Sequence, residues 1–185
     1  IMQCLKGGDF DCSKSPKGPL ASWDVSAVTD MSFLFLRADK RPLPEADKFN
    51  GDMSKWDVSR VTSMNGMFSL ATSFNGDLSK WDVSRVTDMA SMFSALSEFN
   101  GDISKWDVSS VENMDGMFQG ATSFKRELCG AAWVQSQASK NLMFADAPGS
   151  MSPTVCTTTP AFSPQSKAEI KCAFKACLKS SPLPN

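Results

Sequence analysis

Apolar and polar positions in the middle of the chain follow a pattern that returns every 25 residues. It runs as FNGDMSKWDVSRVTSMNGMFSLATS from Phe49, FNGDLSKWDVSRVTDMASMFSALSE from Phe74 and FNGDISKWDVSSVENMDGMFQGATS from Phe99. In the third copy Ile103, Trp106 and Val108 take positions 1, 4 and 6 of a segment in which Lys105 and Asp107 are charged. That predicts a short strand with Trp106 and Val108 turned inward and Lys105 and Asp107 outward. Val111, Met114, Met117, Phe118 and Ala121 follow at steps of three and four, the spacing of one helical stripe. Ser109 is placed to cap that helix and Glu112 to complete a capping box. Phe99-Asn-Gly-Asp102 supplies the entering turn, where Asn-Gly permits positive φ.

A fixed period of this length implies one small unit stacked on copies of itself, since no single copy can bury its own apolar face. The expected fold class is an α/β repeat solenoid: a right-handed, leucine-rich-repeat-like stack of short parallel strands and short helices, with about five repeats and disulfide-stapled ends. Leu20, Trp23 and Val25, then Val28, Met31, Leu34 and Phe35, outline a first repeat with eight extra residues within 37–48. Leu128, Trp133, Met143 and Phe144 keep the skeleton with altered spacing, as a degenerate capping repeat would. The expected organisation is an N-terminal cap at 1–18, repeats at 19–124, the capping repeat at 125–150 and a Ser/Thr/Pro-rich linker at 151–163. A C-terminal capping helix and tail at 164–185, opened by Ser163-Pro164 and bearing Ile170, Phe174 and Leu178, would fold back over the open end.

All six cysteines, Cys4, Cys12, Cys129, Cys156, Cys172 and Cys177, lie outside the clean copies. With a start at Ile1, read as the product of processing, that even number points to disulfides in an oxidising compartment, the thylakoid lumen or the cell exterior. Cys172 and Cys177 on one helix would sit roughly 8 Å apart, beyond disulfide reach. The simplest arrangement pairs Cys4 with Cys12, and Cys129 and Cys156 with Cys172 and Cys177 in an order left open. Neither Cys-x-x-Cys nor histidine occurs, so no structural zinc set and no metal site are expected. The turns of Asn50/Asp52, Asn75/Asp77 and Asn100/Asp102 are read as holding their own backbone; calcium is disfavoured because the Gly-rich nonapeptide signature of calcium solenoids is missing.

Nineteen basic against twenty acidic residues leave a net charge of −1, which excludes a bulk field drawing the chain to nucleic acid. The longest apolar clusters, at 33–36 and 131–134, fall short of the roughly 20 residues of a spanning helix. Without histidine a neutral-pH general base would have to be a strongly perturbed carboxylate or lysine; we expect no enzyme, no catalytic residue and no cofactor.

The unit F-N-G-D-x-S-K-W-D-V-S-x-V-x-x-M-x-x-M-F resembles the BspA-type leucine-rich repeats, also described as mycoplasma lipoprotein-associated repeats of unknown function, over roughly residues 19 to 124. The tail LCGAAWVQSQASKNLMFADAPGS is similar to closing segments of algal members. The resemblance implies surface display, adhesion and protein contact, with no catalytic residues to carry over.

Departures from a repeat supply individuality, so the loop 37–48, with Arg37, Lys40, Arg41, Glu45 and Lys48, is a candidate partner surface weighed equally against a merely solvated loop. Lys55, Asp57, Lys80, Asp82, Lys105 and Asp107 form an exposed face, read first as a solubilising column about 4.8 Å per strand and second as a docking surface. The expectation is a protein-interaction subunit docked on a larger multi-subunit membrane complex, with the lumenal side of an algal thylakoid as one setting. The alternative is a secreted or cell-surface adhesion module.

Overall fold

The computed structural model describes residues 14–15, 17–37 and 41–156. The apolar positions fall as the pattern dictates. Ile103, Trp106, Val108, Met114, Met117, Phe118 and Ala121 are buried with their equivalents in the other copies, in one continuous core running from Leu20 to Met143.

The backbone that delivers them is not the expected one. Among the described residues there is one α-helix, α1 (Ala131–Gln135), two short 3-10 turns, Leu20–Ser22 and Ala46–Lys48, and one sheet in which β1 (Glu127–Leu128) runs parallel to β2 (Ser150–Met151). The rest is turns and single-residue bridges. The leucine-rich-repeat-like stack of strands and helices is therefore corrected: none of the three clean copies contains a strand–helix unit. The segment from Ile103 to Val108 is a turn, closed by the Trp106 N–H on the Ile103 carbonyl at 3.1 Å, so no 4.8 Å strand columns arise there. Ser109 caps no helix; its own N–H donates to Asp107 at 3.1 Å, and Glu112 is exposed.

Backbone handedness explains why the helix fails. Two residues of each copy, four apart, are left-handed: Gly66 (φ 57) and Leu70 (φ 67), Ser91 (53) and Ala95 (58), Gly116 (61) and Gly120 (72). A right-handed helix cannot pass through such residues. Amide donors instead alternate in destination. The N–H groups of Met67, Ser69 and Ala71 close turns three residues back, onto Met64, Gly66 and Phe68. Those of Met64, Gly66, Phe68 and Leu70 reach forward to the carbonyls of Asp88, Ala90, Met92 and Ser94 in the next copy. A chain that turns every four residues places Met64, Met67, Phe68 and Ala71 on one side just as a helix would, which satisfies the apolar pattern without the helix.

Successive copies are joined by parallel bridges, Asp30 to Ser63, Ser63 to Asp88, Asp88 to Asn113 and Asn113 to Ser139. Aromatic rings repeat with them. Phe93 stacks on Phe68 at 5.8 Å, on Phe118 at 5.4 Å and on Phe99 at 4.3 Å. The glycine of each Phe-Asn-Gly turn has a different role from the one expected. Gly76 and Gly101 do not have positive φ; a Cβ there would meet the ring of Phe74 at 2.8 Å or of Phe99 at 2.9 Å, so glycine lets the ring lie against the chain.

Candidate functional site

The outer face is built by repetition of one local motif, Asp-x-Ser. The Ser54, Ser79 and Ser104 N–H groups donate to Asp52, Asp77 and Asp102 at 2.9, 2.9 and 3.0 Å. Those of Ser59, Ser84 and Ser109 donate to Asp57, Asp82 and Asp107, each at 3.1 Å. All six carboxylates thus brace their own turns. The serine hydroxyls, and after them the serine amides, hold Asp52, Asp57, Asp77, Asp102 and Asp107 below the usual carboxylate range.

Lys55, Lys80 and Lys105 are exposed beside this framework. Sequence spacing set them in a column next to Asp57, Asp82 and Asp107. The structure gives them the other aspartates as electrostatic neighbours: Lys55 acts on Asp52, Lys80 on Asp77 and Lys105 on Asp102. Between the second and third clean copies, Asp77, Ser79, Lys80, Asp102 and Lys105 line a depression of about 400 Å³. It presents ammonium groups over carboxylates already committed to backbone amides. Among the described residues no group of three or more His, Cys, Asp or Glu is placed to hold a metal ion.

The loop divides. Lys40 lies outside the described residues. Arg37 and Arg41 are exposed and joined by the Arg37 N–H on the Arg41 carbonyl at 2.7 Å. Glu45 and Lys48 pair with each other, and the neighbouring Asp47 carbonyl accepts the Ser73 N–H at 3.0 Å. The latter pair braces the 3-10 turn at Ala46–Lys48 and its joint to the next copy. A separate apolar groove of about 310 Å³ opens at the first repeat, lined among others by Trp23, Val28, Met31, Leu34, Leu43 and Trp56.

Two sets of residues escaped the reading of the sequence. Asn50, Asn75 and Asn100 do not hold their own turns: their side-chain carbonyls each accept, at 3.0 Å, the N–H of Asn75, Asn100 and Lys125 one copy on. The indole N–H groups of Trp56, Trp81, Trp106 and Trp133 reach back to the carbonyls of Leu20, Met53, Leu78 and Ile103 at 2.9–3.1 Å. Identical Asn and Trp at one register in each copy was the available signal, because a buried indole N–H needs an acceptor. The cysteines also differ from expectation. Cys129 bonds to Cys156, with Cα atoms 5.1 Å apart, rather than to a cysteine of the tail. Parallel pairing of β1 with β2 and the Cys156 N–H on the Cys129 carbonyl at 2.9 Å bring the two together. Cys4, Cys12, Cys172, Cys177 and the expected C-terminal helix lie outside the described residues.

A family model described as "Mycoplasma protein of unknown function, DUF285" matches residues 9–43 and 41–154. No curated protein and no solved structure matches the chain. Among the described residues no helix is long and apolar enough to cross a membrane.

Proposed function

We propose, for a chain that belongs to the DUF285 family of mycoplasma-type proteins, a non-enzymatic role: a rigid interaction subunit that docks on a larger protein assembly through its lysine-bearing face. One observation carries this reading. The aspartates, asparagines and tryptophans of the copies are engaged in holding the backbone, while the repeat presents outward, once per copy, Lys55, Lys80 and Lys105, of which Lys80 and Lys105 line the depression with Asp77 and Asp102. Fixed spacing on a rigid support favours a partner of matching acidic spacing, with affinity set by several weak contacts. The bond between Cys129 and Cys156 suits an oxidising compartment, of which the lumenal side of an algal thylakoid is one setting and the cell surface another.

Gentle isolation of the native protein, sizing and mass spectrometry of what travels with it tests the reading. Co-migration with a protein complex, lost in the Lys55→Glu, Lys80→Glu, Lys105→Glu variant, is the expected result. A solitary chain in the medium or cell wall would instead favour the adhesion role implied by the repeat resemblance.

A further inference from the structure

The backbone bonds between copies form two runs of opposite direction. In the shorter, the N–H groups of Thr62, Thr87, Glu112 and Ser139 donate back to Thr29, Thr62, Thr87 and Glu112; in the longer, N–H groups reach forward to carbonyls of the following copy, down to Met114, Gly116, Phe118 and Gly120, which donate to Ser139, Asn141, Met143 and Ala145. In that last copy Leu142, Phe144 and Asp146 take the places of Gly116, Phe118 and Gly120. Leu142 and Asp146 are left-handed at φ 54 and 58, and Phe144 stacks on Phe118 at 5.3 Å. The N–H groups of Leu142, Phe144 and Asp146 meet no backbone acceptor among the described residues, and Leu142 is 68% exposed.

The first repeat has the converse edge. Met31 and Phe33 donate forward to Ser63 and Asn65. Asp30 is bridged to Ser63 and so stands one copy earlier in the same place, with Ser32 matching Asn65. The carbonyls of Asp30, Ser32 and Leu34 receive no backbone N–H among the described residues. Beside them lies the apolar groove, with Val28 37% exposed. One end therefore carries a row of donors with an exposed leucine, and the other a row of acceptors beside a groove.

We propose that these two ends bind each other between molecules, the first repeat of one copy of this chain seating on the last repeat of another. The register and the donor-to-acceptor polarity of the longer run would continue across the junction as they do between repeats inside the chain. An open backbone edge is a template for such pairing. Because donor and acceptor edges are different surfaces, the contact is heterologous, and it extends beyond a dimer unless the rotation closes. The inference is independent of the proposed docking role, since it uses the ends and not the lysine face.

Light scattering on the full chain over a wide concentration range tests it. The mass of the unaltered protein should climb from the monomer's 20.1 kDa through the dimer and higher. Val28→Asp and Leu142→Asp should each stay monomeric, while a mixture of the two should form a dimer that grows no further, each having kept the opposite end intact. Leu142→Gly, compatible with the left-handed backbone, should weaken assembly without disturbing folding. On assembly the Leu142 and Phe144 amides should exchange with solvent at least roughly tenfold more slowly. An unaltered protein that stays monomeric would overturn the proposal, as would dimers formed by either single variant. Slow exchange at Leu142 in a monomer would assign the edge to the chain's own segments and overturn it equally.

Discussion

The central copies, 49–124, and the closing segment, 125–156, bury the same kinds of side chain but hold them by different means. In the centre the main contacts are periodic. Asparagine carbonyls, indole N–H groups and stacked rings recur every copy, so each copy is held in much the same way by the one before and the one after. The closing segment shifts the interval by one, with the Asn141 N–H on Asp115 26 residues away, and no further copy follows it among the described residues. It substitutes local chemistry: Asp115 accepts from Ser139 at 2.6 Å and from Asn141 at 2.8 Å, α1 carries Trp133, and a disulfide ties Cys129 to Cys156. A repeated unit supports itself from two sides, and ending the series takes residues that do not repeat.

The sharpest break in this contrast is a ring deletion. Phe93→Ala removes a fully buried ring that stacks on Phe68, Phe99 and Phe118 and lies tilted against Trp106, and should cost about 3–5 kcal/mol in denaturant unfolding. Phe144→Ala, at the half-buried end of the column with stacking partners only on its inner side, should cost less than half as much. Equal losses would mean that the end is packed as tightly as the centre.

Next in size is the bond that closes the end. Cys129 and Cys156 stand at a sequence separation of 27, for which chain entropy predicts about 3.5 kcal/mol. Cys156→Ser should apply that loss to the closing segment, so that amides around Leu128 and Trp133 exchange faster while those of 64–96 keep their protection. A uniform rise across all copies would show the chain unfolding as one unit and would erase the distinction between centre and end.

Smaller again is loss of one indole bond. Trp106→Phe keeps most of the ring but removes one of the two N–H groups that the Leu78 carbonyl accepts, the Trp81 amide remaining, a cost of about 1 kcal/mol read from the midpoint of urea unfolding.

Acid should act on centre and end through the same kind of turn. Asp52, Asp102 and Asp107 are depressed in the fold by serine hydroxyls and amides, and Asp115 by Ser139 and Asn141. A folded value below the unfolded one, about 3.9, gives stability that is complete above the unfolded value and is lost as pH falls through the folded value. Thermal stability should therefore hold steady from neutrality to about pH 4 and decline below it. Asp102→Asn, which keeps an acceptor for Ser104, should flatten the decline; an unchanged acid limb would remove these turns from the explanation.

What was legible in the chain was which residues face in. Trp106 and Val108 are buried and Lys105 and Asp107 exposed as their alternation requires. Backbone conformation was not legible from the same pattern, because steps of three and four satisfy a helix and a series of four-residue turns equally. The glycines at 66, 116 and 120 were the discriminating signal, since three of six equivalent places held the residue that left-handed backbone favours. The lysine half of the face was readable from charge alone. Asp57, Asp82 and Asp107 are exposed as expected, but their bracing role was not read, because Asp-x-Ser is an Asx-turn spacing that turns a carboxylate toward its own chain. The Cys129 partner was hidden because β2, which delivers Cys156, is two residues long and has no periodic mark.

The smallest effect tests that account of the backbone directly. Ser91 stands where its neighbours have Gly66 and Gly116, at φ 53, a conformation costing an L-residue roughly 1–2 kcal/mol. Glycine removes that cost but adds freedom to the unfolded chain, opposing about half of the gain. Ser91→Gly should therefore stabilise the protein by about 0.5–1 kcal/mol, seen as a higher urea midpoint with unchanged slope. The reverse change one copy earlier is not its mirror image. At Gly66 a Cβ would also strike the Phe33 ring at 2.6 Å, so Gly66→Ser should destabilise by more than Ser91→Gly gains. Loss of stability in Ser91→Gly would mean that the second copy holds a right-handed turn there, and with it the forward-reaching Ser91 N–H on the Asp115 carbonyl would have to be abandoned.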